Sequence, residues 1–139
     1  MFTIPSGTPM LRKLQESTLK RVNEEKLEYV YEEYGVALLN GESFTGESIE
    51  KSGDTIISLT TFTNGAENGP KKEWYENGQI RLMGETRFPK GAVGTWKKWS
   101  ETGQLTEKKI FDEEGNLIRR QQWDMQGTLL KDDSYDPLW

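Results

Sequence analysis

The sequence predicts an all-β protein, an antiparallel meander of short strands, on three observations. Eight glycines recur about once every dozen positions: Gly41, Gly53, Gly65, Gly78, Gly91, Gly103, Gly115 and Gly127. From Gly53 on, each is followed, near the end of the segment it opens, by an aromatic: Phe62, Trp74, Phe88, Trp99, Phe111, Trp123 and Tyr135. Finally, KKEWYENGQIRL (71–82) and WKKWSETGQL (96–105) align at an offset of 25, and Trp123, Gly127 and Leu129 continue the series at an offset of 24. A fixed period of this length marks a repeat architecture. The glycines mark bends that need φ > 0, and the aromatics mark strands that bury one large side chain.

The elements follow in order. Residues 1–19 contain Pro5, Gly7 and Pro9 and read as an N-terminal arm or cap. Residues 20–139 read as the repeat domain, ending in a short acidic tail with Asp132, Asp133 and Asp136. From Lys20 to Tyr31 the pattern is strand, polar turn at Asn23-Glu24-Glu25, strand, and Gly35 then introduces a strand over Val36–Leu39. Further strands are expected over 56–62, 71–75, 79–87, 95–99, 104–111, 117–123 and 128–131. Asn77-Gly78 predicts a tight type I′ hairpin turn, and Asn40-Gly41 and Asn64-Gly65 repeat the dipeptide. Additional glycines at Gly46, Gly69 and Gly94 predict wider loops along one edge.

In a meander, alternate strands run in opposite directions, so the aromatics fall on two edges. Phe62, Phe88, Phe111 and Tyr135 should line one, and Trp74, Trp99 and Trp123 the other. These tryptophans are expected to be core residues. Gly78 and Gly103 are expected to reject β-branched replacements.

Composition narrows function. The 139-residue chain has no cysteine and no histidine, which removes disulfides, thiolate metal sites and the commonest general base. A net charge of −5, spread along the chain, does not suit nucleic-acid binding. No apolar run is long enough to insert into a membrane, and no basic-then-apolar leader pattern opens the chain, so a cytoplasmic protein is expected. The acidic doublets Glu113-Glu114 and Asp132-Asp133 are poor catalytic pairs, because strand neighbours point to opposite faces. Asp132, Asp133 and Asp136 lack the glycine and distal glutamate of a calcium loop. No catalytic role, cofactor or metal is therefore expected. Binding through one sheet face remains, with Arg81, Lys97, Lys98, Glu107, Arg119 and Gln121 as candidate partner-binding residues.

The runs FTGE (44–47), WYENGQIR (74–81) and WKKWSETGQL (96–105) resemble the MORN-repeat variant found in the YwqK-like antitoxin, or immunity protein, family. The resemblance spans about Leu39 to Lys131. It implies a single-layer, curled β-meander of MORN-like hairpin repeats that recur at the same offset of 24 to 25. It also implies an intracellular protein that binds a cognate toxin, such as a nuclease or an ADP-ribosyltransferase, and blocks its active site. MORN proteins that act as scaffolds or at membrane surfaces supply the alternative.

Overall fold

A computed structural model describes residues 20–31 and 35–136. The arm expected over residues 1–19 lies outside the described residues. The described chain is a succession of strands with one single-turn 3-10 helix (Glu24–Lys26). In chain order they are β1 (Arg21–Asn23), β2 (Glu28–Tyr31), β3 (Gly35–Leu39), β4 (Glu42–Ser43), β5 (Gly46–Ser52) and β6 (Thr55–Thr63). There follow β7 (Ala66–Trp74), β8 (Ile80–Arg87), β9 (Gly91–Trp99), β10 (Leu105–Phe111), β11 (Leu117–Trp123) and β12 (Leu129–Ser134).

From β5 to β12 each strand pairs antiparallel with the next, giving an open all-β meander as expected. Two features go beyond the expectation. β1 lies parallel to β5, with Arg21 opposite Glu47 and an ion pair of 2.9 Å between them. The segment between them folds into a second, three-stranded sheet, β2-β3-β4. Two backbone hydrogen bonds tie that segment to the turn between β6 and β7, Ala37 N to Gly65 O and Gly65 N to Phe44 O, both 2.8 Å, and Phe44 N to Ala37 O (2.9 Å) continues the β3–β4 ladder. Around them Leu27, Ala37, Phe44 and Phe62 form the buried core, with Val22 and Leu39 packed against it.

The turns are of two kinds. Asn40-Gly41 and Asn64-Gly65 have positive φ at both residues, as a type I′ turn requires. Asn77-Gly78 does not follow them, because only Gly78 has positive φ (+89°). Here Gly78 N donates to Tyr75 O and Tyr75 N to Gln79 O, both at 2.9 Å, which makes a three-residue loop closed by a glycine bulge. The Asn77 side chain instead accepts from Gln79 N at 2.8 Å. The same backbone pattern recurs at residues 100–104, 112–116 and 124–128.

The glycines expected in wide loops are within strands. Gly69 and Gly94 lie beside breaks in the pairing register, where β7 and β9 bulge against β6 and β8. Gly46 opens β5. Their positive φ values of 124°, 70° and 147° serve local bending of strands rather than connection between them.

Bonds between successive hairpin turns run along one edge at the repeat spacing. Ser52 Oγ donates to Glu76 Oε1 (2.6 Å), Tyr75 OH to Trp99 O (2.7 Å) and Asn77 Nδ2 to Glu101 O (3.1 Å). Trp74, Trp99 and Trp123 end their strands along this edge, but all three are half-buried, in place of the core burial expected of them. Among the described residues no second layer covers most of this sheet, so an indole here packs on its neighbours and keeps one side exposed. On the opposite edge Phe62 is buried, Phe111 is half-buried, and Phe88 and Tyr135 are exposed. Of these four, Phe62 joins the core formed with Leu27, Ala37 and Phe44 of the second-sheet region.

Candidate protein-docking surfaces

Residues directly opposite in neighbouring strands share a face. The register therefore separates the six candidate binding residues. Met83, Lys97, Lys108, Gln121 and Asp132 form one row across β8–β12. Leu82, Lys98, Glu107, Gln122 and Lys131 form the adjacent row, on the other face. Lys98 and Glu107 thus come together on one face, and Lys97, Gln121 and Arg119 lie on the opposite one. Arg119 grips Asp132 through both carboxylate oxygens (3.0 and 2.9 Å), and Gln121 Nε2 donates to the same group at 3.3 Å. Arg81 stands apart, paired with Glu73 at 2.6 Å and placed 5.7 Å from the Tyr75 ring centre.

Glu107 is the hub of its face. It is buried, and its carboxylate accepts from Arg120 Nε and Gln122 Nε2, both at 3.1 Å. Lys98 and Lys109 approach within 3.6 and 3.8 Å. Burial pushes its pKa up, but the Gln122 and Arg120 hydrogen bonds and the Lys109 and Lys98 charges outweigh that and hold it below the ordinary carboxylate range. A buried carboxylate shared by three cations from β9, β10 and β11 is a cross-strand clasp, already satisfied. Beside it Leu82, Trp96 and Phe111 line a cavity of about 100 Å³. Trp96 lies across Gly84 of β8, in the space a Cβ would fill, and its Nε1 donates to Val93 O (3.1 Å) and Glu85 O (3.2 Å). Glycine periodicity does not single out Trp96; a mid-strand glycine opposite a tryptophan-bearing strand is the signal that could have found it.

On the opposite face, Lys72, Met83, Lys97 and Lys108 follow one another across β7 to β10. Among the described residues none of these three lysines has an ion-pair partner within 4 Å.

An aromatic surface lies elsewhere, where the second sheet meets the meander. Tyr29, Tyr31, Phe62, Phe88 and Pro89 line an open cleft of about 420 Å³. Its aromatics form a ladder that rises from the core. Phe44 and Phe62 have ring centres 6.0 Å apart, Phe62 and Tyr29 6.4 Å, and Tyr29 and Tyr31 6.2 Å with near-parallel planes. Tyr31 is 77% exposed at the top. Burial, with the carboxylates of Glu24 and Glu67 and the neighbouring Tyr31, pushes the Tyr29 phenol up, so it remains a neutral donor. Tyr29 and Tyr31 read in sequence as ordinary strand alternation, and only the second sheet brings them to Phe62 and Phe88. Among the described residues no cluster of three or more acidic side chains is arranged to hold a metal ion, and no helix is long and apolar enough to cross a membrane.

The MORN repeat variant matches residues 67–86 and 92–113, which are the β7–β8 and β9–β10 hairpins with their turns. No curated protein matches the chain. A chain in the crystal structure of accessory secretory proteins 1, 2 and 3 of Streptococcus pneumoniae is similar at 14% identity and a TM-score of 0.33. That match covers 74% of this chain and 18% of the other.

Proposed function

We propose that this chain is a protein-interaction module that docks a partner protein at the aromatic cleft between its two sheets. The observation that carries this reading is the Phe44–Phe62–Tyr29–Tyr31 ladder. Its base is fixed in the core, and its top is exposed beside Phe88. Anchored aromatics around a concave surface give a binding partner large contact area at little ordering cost.

In its more specific form, the partner is a cognate toxin domain whose active site the module occludes. This rests on the resemblance of the WYENGQIR and WKKWSETGQL hairpins to the repeats of YwqK-like antitoxins. On this reading the chain performs no catalysis and uses no cofactor. A net charge of −5 suits encounter with a basic partner such as a nuclease. The test is co-expression with the toxin domain encoded beside it. Wild-type protein should restore growth and co-purify in a fixed ratio, and Tyr31→Ala with Phe88→Ala should lose both while keeping the wild-type melting temperature. Rescue with no physical complex would reject occlusion, and full activity of the double variant would reject the cleft.

The row of Lys72, Lys97 and Lys108 beside Met83 favours a second reading, a scaffold that lies on an anionic membrane surface. Firm sedimentation with anionic, but not neutral, vesicles at physiological salt would place this reading first.

A further inference from the structure

β12 ends the nine-stranded sheet, and among the described residues it pairs only with β11. It carries exposed apolar side chains at Leu129 and Leu130, and the exposed Tyr135 follows it. The ladder extends through Tyr135, whose N–H donates to Ile118 O at 2.9 Å. An open edge of this kind is a template for another strand.

We infer that the occupant of this edge is β12 of a second copy, paired antiparallel across a two-fold axis at Asp132. Symmetry restricts the choice. A two-fold axis perpendicular to a continuous sheet keeps every side chain on its own face, so the axis must pass through one residue opposite itself. Centring on Lys131 would oppose two lysines and set Leu129 and Leu130 against Asp133 and Asp132. Centring on Leu130 or Asp133 forms no pair of opposite charges between Lys131 and an aspartate. Centring on Asp132 sets Lys131 against the partner's Asp133 twice and Leu129 against the partner's Tyr135 twice. The two central Asp132 carboxylates would meet, but each is already neutralised by its own Arg119. Among the available axes, this one makes the charge and apolar patterns of β12 self-complementary.

Sedimentation equilibrium and charge-swapped variants test this. Wild-type protein should approach twice its monomer mass as concentration rises. Lys131→Glu and Asp133→Lys should each remain monomeric, because each opposes like charges. An equimolar mixture of the two should restore a dimer with one copy of each, since the glutamate introduced in one chain then faces the lysine introduced in the other. A second probe uses the absence of cysteine from the chain. Asp132→Cys should oxidise to a disulfide-linked dimer, because opposed residues lie about 4.5–5.5 Å apart at Cα, within disulfide reach. Leu130→Cys, which would face Ser134, should not. A wild-type monomer at every concentration, dimeric single variants, a mixture of folded variants that stays monomeric, or equal crosslinking at 130 and 132 would each overturn the inference.

Discussion

Replacing Gly84 with alanine tests the packing of the sheet at one methyl group. Gly84 lies mid-strand in β8 with ordinary φ, so alanine is compatible with the backbone. In an isolated strand the change would stabilise by roughly 0.5–1 kcal/mol, since glycine loses more conformational freedom on folding. Here the new Cβ would enter the Trp96 indole at Cδ2, Cε2 and Cε3. These are rigid ring atoms, and the ring is held by hydrogen bonds to Val93 O and Glu85 O. Overpacking of this kind costs about 1–3 kcal/mol. If the ring swings out, the loss of hydrogen bonding at its N–H adds roughly 0.5–1.5 kcal/mol. Gly84→Ala is therefore expected to destabilise by about 2–3 kcal/mol, measured by urea denaturation. The double-mutant cycle is decisive. In a Trp96→Ala background the Gly84→Ala cost should vanish or change sign, because the obstructing ring is gone. A Gly84→Ala protein as stable as wild type, or a cost that persists without the indole, would refute the reasoning.

The remaining predictions concern the core, the turns and the Glu107 clasp. Phe62→Ala should cost about 3–5 kcal/mol in chemical denaturation, and Trp99→Ala should cost less because its indole is only half-buried. Gly78→Ala should cost about 1–2 kcal/mol, since φ is +89° and the space around it is empty. Gly65→Ala should cost more, because its φ of +84° is joined by Val36 Cγ1 at 2.5 Å and Ala37 O at 3.1 Å from the added methyl. The folded-state pKa of Glu107 lies below its unfolded value of about 4.3, so its contribution is fully present above that value. It is lost as pH falls through the lower, folded value. Melting temperatures taken from pH 7 into acid should therefore fall more steeply for wild type than for Glu107→Gln.

Much of the meander is legible in the sequence because its signals are local. The positions of β6 to β12 follow from glycine spacing and alternation, and their predicted centres fall within the observed strands. The turn at Asn77-Gly78 is misread because the dipeptide fits two loop lengths, and the closing bond from Tyr75 N to Gln79 O selects the longer. The second sheet is not legible. β1 meets β5 at Arg21 and Glu47, far apart in the chain, and nothing periodic announces that return. The aromatic cleft shares this origin, since Tyr29 reaches Phe62 only through that return. Likewise Lys97 and Lys98 look like one surface in the sequence, whereas strand alternation sends them to opposite faces.

The contacts between successive hairpin turns have an evolutionary consequence. Tyr75 to Trp99 and Asn77 to Glu101 are contacts between equivalent places in successive units, each at a sequence separation of 24. The contact that recurs from unit to unit is a glutamine against the next turn's glycine, Gln79 beside Gly103 and Gln104 beside Gly127. A duplicated or deleted unit meets a surface that already fits, so length can change in whole increments without redesigning either end. Such a molecule should also open from an edge inward, and in the monomer β12, which among the described residues pairs with β11 alone, is where hydrogen exchange should begin.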